Sequence, residues 1–143
     1  MGVAVERVGS VTDEVVAAFG RLMPQLSRSA APLDAAALET VLAWPGNRVL
    51  AARVGGVVVG VLTLVLFPVP TGLRARIEDV VVDEAARGHG AGAALTREAV
   101  RLAHAEGART VDLTSRPGRI AANRLYERLG FKVRDSNVYR YAG

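Results

Sequence analysis

The 143-residue chain predicts a single α/β domain, residues 1–143, built around one mixed, mainly antiparallel sheet flanked by helices. Three observations carry that prediction. Two β-rich runs, residues 48–54 and 57–67, are joined by Gly55-Gly56, a pair able to take positive φ in a hairpin turn. Segments around 15–26 and 93–106 repeat apolar residues at helical spacing. A glycine-rich stretch, 87–92, couples a third β-rich run to the second of those helices.

The elements follow in order. Residues 3–8 read as a short first strand. Thr12 then precedes Asp13 and Glu14, an N-cap with acids in the first turn. Val15, Phe19, Leu22 and Leu26 form one apolar face, which Pro24 is expected to end or kink. Residues 27–32 read as loop, and Asp34 caps a second short helix through Leu38, Val41 and Leu42 that stops near Pro45-Gly46. The hairpin comes next. Pro68, Pro70 and Gly72 are expected to break the chain before a third strand at 76–82, so 68–74 reads as a loop. Leu95, Ala99 and Leu102 give the following helix its inner stripe, and Gly107 its C-cap. Residues 110–114 read as a strand parallel to the one before the helix. Pro117-Gly118 leads into a last helix, about 120–129, with Gly130 as C-cap and short closing strands at 131–134 and 137–141.

Composition excludes several functions. Half the residues are hydrophobic and 22% are charged, enough to bury a core. No cysteine is present, which rules out disulfides and thiolate metal sites, and His89 and His104 show no metal-ligand spacing. No metal is expected. The net charge is +4, yet the cations are dispersed, and three Phe, three Tyr and one Trp form no stacking cluster. Nucleic acid is therefore not expected as a partner. Residues 57–67, the longest apolar run, are too short for a bilayer that needs about 20 residues. No targeting pattern opens the chain, so the expectation is a cytoplasmic protein with no membrane partner.

The stretch Arg87-Gly88-His89-Gly90-Ala91-Gly92 is where chemistry is expected. A glycine turn opening a helix bares orphan N–H donors at the positive end of the helix dipole, a seat for phosphate or pyrophosphate. Gly88-x-Gly90-x-x-Ala93 also fits a dinucleotide fingerprint, with Asp112 near the distance of a ribose-binding acid. Against that reading, Asp112 falls near the start of its expected strand, the preceding half looks antiparallel, and about 30 residues follow. A turn that merely links strand to helix is the third possibility.

Arg87-x-x-Gly90-x-Gly92, after Val80-Val81-Val82 and before a helix, resembles the Arg/Gln-x-x-Gly-x-Gly/Ala signature of the GCN5-related N-acetyltransferases, the GNAT family. Downstream, Asn123-Arg124-Leu125-Tyr126-Glu127-Arg128-Leu129-Gly130-Phe131 is similar to that family's Leu-Tyr-x-x-x-Gly-Phe segment. The resemblance implies a GNAT-like sheet splayed between its third and fourth long strands to hold acyl-CoA, with acetyl-CoA as cosubstrate. It implies that backbone groups of Val80, Val81 and Val82 pair with the pantetheine arm. The N–H groups of Arg87, Gly88, His89, Gly90, Ala91 and Gly92, with Ala93 beginning the helix, would hold the pyrophosphate. Many relatives carry Asn seven residues before the tyrosine; here Arg119 stands there, and Asn123 is the amide expected on the pantetheine side. Arg119 and Arg124 are read as phosphate contacts or as solvated surface.

The same resemblance implies direct acetyl transfer to a primary amine of a small molecule or peptide. Tyr126 is the candidate acid for the leaving thiolate. Glu78 is the candidate base, with Asp79 on the other strand face unless a bulge exchanges them. Alternatives are an acyl-CoA-binding regulatory module without catalysis, and a nicotinamide-binding protein. Arg140 is a weak hint of a substrate phosphate, His89 and His104 read as surface, and Trp44 reads as core or lid. Dimers are common in the family, so a homodimer is a further expectation.

Overall fold

The computed structural model describes residues 2–143. The chain divides into two compact units, Met1–Leu113 and Thr114–Gly143.

The first unit holds five strands: β1 (Val3–Arg7), β2 (Asn47–Val54), β3 (Val57–Val69), β4 (Gly72–Val82) and β5 (Thr110–Asp112). They lie in the sheet in that order, antiparallel except for the parallel β4–β5 pair. The expected mixed, mainly antiparallel sheet is therefore present. Helices α1 (Asp13–Leu26) and α2 (Ala35–Ala43) precede the hairpin, and α3 (Ala91–Ala105) crosses from β4 to β5.

Local chemistry sets these boundaries. Thr12 Oγ1 accepts from Val15 N–H at 3.2 Å, and Asp34 Oδ1 from Ala37 N–H at 2.8 Å, so α1 and α2 start where orphan donors find side-chain oxygens. Pro24 lies inside α1, which runs two residues past it to Leu26. Gly55 and Gly56 take φ of 59° and 81°, the two-residue turn that suits strand twist.

Residues 68–74 are not a loop, contrary to the sequence reading. β3 runs through Pro68 to Val69, and β4 begins at Gly72, with Pro68 opposite Leu73. The reason is positional: β2 begins opposite Val65, so Pro68 lies beyond its end and its missing N–H costs no ladder bond.

Packing covers both sheet faces. Val15, Ala18, Phe19 and Leu22 of α1 and Leu38 of α2 pack with Val49, Ala51, Val58, Val61 and Val81. On the opposite face a Cβ at Gly60 would lie 3.2 Å from Leu95 Cδ1, so the missing side chain lets α3 approach β3 closely. Trp44 is 64% exposed at the end of α2 and is not a core residue.

The second unit contains one helix, α4 (Ile120–Arg128). Gly130, at φ 98°, reverses the chain: its N–H reaches Glu127 O at 3.1 Å, and Phe131 N–H reaches Tyr126 O at 3.0 Å. The Tyr126 and Phe131 rings meet edge-on at 5.9 Å, the apolar contact that accompanies such a cap. The closing strands expected at 131–134 and 137–141 do not form; Val133, Val138, Tyr139 and Tyr141 are exposed. Their β-prone residues have no strand within that unit to pair with.

Candidate functional site

β4 has two unlike edges. Toward β3 it keeps nine register pairs, from Gly72 to Val82. Toward β5 it keeps three, Arg74 to Arg76 against Thr110 to Asp112. Past Arg76 the sheet opens, and among the described residues no strand pairs with that edge.

Which backbone groups face the gap follows from strand alternation. Arg109 N–H donates to Leu73 O at 2.7 Å, so odd-numbered residues at the start of β4 point toward β5. Asp83 N–H donates to Val59 O at 2.7 Å, so odd-numbered residues at the end point toward β3 instead. The switch occurs where Val61 pairs with Val81 but Thr63 pairs with Glu78, leaving Asp79 and Val80 opposite Leu62. This is a β-bulge with Asp79 at φ 50°, the one non-glycine at positive φ among the described residues. The bulge turns the N–H and C=O of Val80 and Val82 toward the gap. Val81 stays in the ladder with β3, and its side chain is in the core.

Eight residues beyond Val82 the chain forms a second feature. Gly90 is the N-cap of α3 at φ 80° and has no side chain to cap it. The first intrahelical bond is Ala94 N–H to Gly90 O at 3.0 Å, so the N–H groups of Ala91, Gly92 and Ala93 lack helical acceptors. No acid stands in the first turn, and Gly88, also at positive φ, and Gly90 have open space at the Cβ position. The helix begins two residues earlier than the sequence suggests. Arg87 N–H already reaches Glu84 O at 3.4 Å, so the free run of amides starts after it. Arg87 and His89 are exposed.

The ionisable candidates have distinct surroundings. Glu78 lies on the sheet face of Thr63 and is bonded by Arg76 Nε at 3.1 Å. Asp79 is exposed as a residue, yet partial desolvation of its carboxyl, then the neighbouring Glu78 charge, raises its pKa above the usual value. In the second unit Tyr126 is buried, and that burial raises its phenol pKa, with Arg119 opposing. The side-chain Nδ2 of Asn123 donates to Arg116 O at 3.0 Å. Ser115 Oγ, missed in the sequence, is buried without a partner among the described residues. Nothing in its local pattern marks it. Asp112 ends β5 rather than starting it, so its position does not argue against a dinucleotide; the antiparallel run β1–β4 does.

Residues 14–131 match the model of the acetyltransferase (GNAT) family. The chain belongs to the GNAT family. Among solved structures, this GNAT protein is similar to a putative acetyltransferase from Agrobacterium tumefaciens. Identity is 26% and TM-score 0.84, over 98% of this chain and 99% of that one. It is similar as well to a transcriptional regulator from Bacillus halodurans, with 28% identity, TM-score 0.76, and 97% and 99% coverage. An aminoglycoside acetyltransferase from an uncultured soil metagenomic sample shares the fold at 19% identity and TM-score 0.84, over 99% and 95%. No curated protein gives a significant match. Among the described residues, no helix is long and apolar enough to cross a membrane, and no cluster of three or more metal-ligating side chains occurs.

Proposed function

We propose that this GNAT protein is an acetyl-CoA-dependent N-acetyltransferase acting directly on a primary amine. One observation carries the reading: a single stretch, residues 80–93, offers first an unpaired strand edge and then a run of uncapped amides. Those are the two surfaces that an extended amide-bearing arm ending in a diphosphate requires. The glycines at 88 and 90, with no Cβ, leave room for the diphosphate to approach the backbone.

When bound, acetyl-CoA supplies an acetyl thioester with an electrophilic carbonyl carbon. Val80 and Val82 orient the arm through their outward N–H and C=O groups. The amides of Ala91, Gly92 and Ala93 seat the diphosphate, with the Arg87 cation adding attraction. Glu78 takes the proton that the acceptor ammonium must lose, and Asp79, next to it at the bulge, is the alternative base. Tyr126 gives a hydrogen bond or proton to the departing sulfur; its raised pKa keeps the phenol protonated to higher pH than an ordinary tyrosine. With no cysteine in the chain, direct transfer needs no acetyl-enzyme.

Calorimetric titration with free and acetylated coenzyme, followed by thiol release over a panel of amines, tests the reading. Absence of binding to either form would sink it. Binding without thiol release across the panel favours a regulatory module, the second reading, which the name of the Bacillus neighbour supports. Tyr126→Phe should lower kcat by about 10–10⁴-fold with coenzyme affinity kept; an unchanged kcat removes Tyr126 from the mechanism.

A further inference from the structure

Below the bulge, one face of β4 changes character. Val81 on that face is core, whereas Glu78, Arg76 and Arg74 follow at alternate positions with side chains at least partly exposed. β4 is an inner strand, a place where apolar residues are the rule. The β3 positions opposite these three are Thr63, Val65 and Phe67.

Charge is sorted along this row. At the bulge end stand two carboxylates, Glu78 and Asp79. At the hairpin end Arg74 donates to Thr71 Oγ1 at 2.8 Å and to Thr110 Oγ1 at 3.5 Å, both uncharged. Arg109 converges on the same turn, donating to Thr71 O at 2.9 Å. Arg76 on the same row pairs with the Glu78 carboxylate, whereas neither Arg74 nor Arg109 pairs with a carboxylate among the described residues. Arg74 is nonetheless held in place, by hydroxyls that themselves can turn to an anion.

We propose that the amine acceptor carries an anionic group, carboxylate or phosphate, bound by Arg74 and Arg109, with its amine at Glu78. The proposal rests on the acetyltransferase reading and deepens it. Four steps along the strand separate Glu78 from Arg74, about 13 Å. Val65 and Phe67 give an apolar stem something to lie on. The acceptor is thus an amine, an apolar spacer and an anion in line.

The probe is 8-aminooctanoate, with n-octylamine and 8-aminooctyl phosphate beside it. Binding is measured by calorimetry to the full chain, independently of turnover, and thiol release with acetyl-CoA is then measured for the same compounds. Either anionic probe should bind about tenfold or more tightly than n-octylamine. Arg74→Gln should collapse that ratio toward one. Arg109→Gln, a change at an exposed side chain, should reduce it and serves if the first variant fails to fold. Arg101→Gln, on the outer surface of α3, should leave it intact. A ratio near one in the unaltered protein overturns the proposal, as does a ratio that survives both Arg74→Gln and Arg109→Gln. No thiol release from any amine would defeat acetyl transfer but leave the binding ratio to judge the anion site.

Discussion

The two edges of β4 are made by the same residues and do opposite work. On the β3 side the strand is paired along its length. On the β5 side pairing stops after three residues. A β-strand edge that leaves its N–H and C=O groups without ladder partners forgoes the hydrogen bonds a neighbouring strand would give. The closed edge is frame, and the open edge is the one on which the proposed coenzyme reading rests. The bulge at Asp79 and Val80 links them, since without it Val81, not Val80 and Val82, would face the gap.

The hardest blow to this contrast is a pair of proline variants. Proline removes one N–H and otherwise tolerates extended backbone. Val81→Pro deletes a donor in the β3 ladder and a core side chain, and should cost about 3 kcal/mol or more in urea unfolding. Val82→Pro deletes a donor aimed into the gap. It should cost much less stability and weaken acetyl-CoA binding by about tenfold, as expected for one lost hydrogen bond. Equal destabilisation by the two would show that the edges do not differ.

A smaller effect is expected at the start of α3. The protein caps α1 with Thr12 and α2 with Asp34, yet leaves Gly90 at α3. Gly90→Asp supplies the missing carboxylate. Asp tolerates the left-handed backbone of this position at a cost of about 1 kcal/mol. Thermal stability should therefore fall only slightly, while coenzyme affinity falls roughly tenfold or more because a fixed negative charge replaces the diphosphate. Full coenzyme affinity in this variant would mean that these amides hold no anion.

Much of the frame was legible because local rules act on neighbouring residues. Thr12 and Asp34 marked helix starts, Gly55-Gly56 a turn, and Gly130 a helix end. What escaped depended on partners distant in sequence. Pro68 looked like a breaker because its position beyond the end of β2 cannot be read along the chain. Residues 131–134 and 137–141 read as strands because the sequence does not reveal whether a partner exists. The site was split in the same way. The glycine turn could be read, whereas the bulge, which decides which of Val80, Val81 and Val82 faces the gap, is a property of register. Arg74 and Arg109 converge on one turn only once β4 and β5 are paired.

The smallest expected effect lies at the bulge, where the two edges exchange roles. Burial and Glu78 raise the Asp79 pKa, so folding favours its protonated form. Its contribution to stability is therefore greatest below the ordinary aspartate pKa and is lost as pH rises through the raised value. Asp79→Asn keeps the tolerance for positive φ and removes the charge. Urea unfolding should find the variant slightly more stable than the parent at neutral pH, with the difference vanishing in acid. The pH profile of kcat/KM separates the two carboxylates. If Glu78 is the base, Asp79→Asn retains the acidic limb and Glu78→Gln abolishes it. The reverse result would move the base to the bulge itself, where the same residue that redirects the strand would also receive the proton.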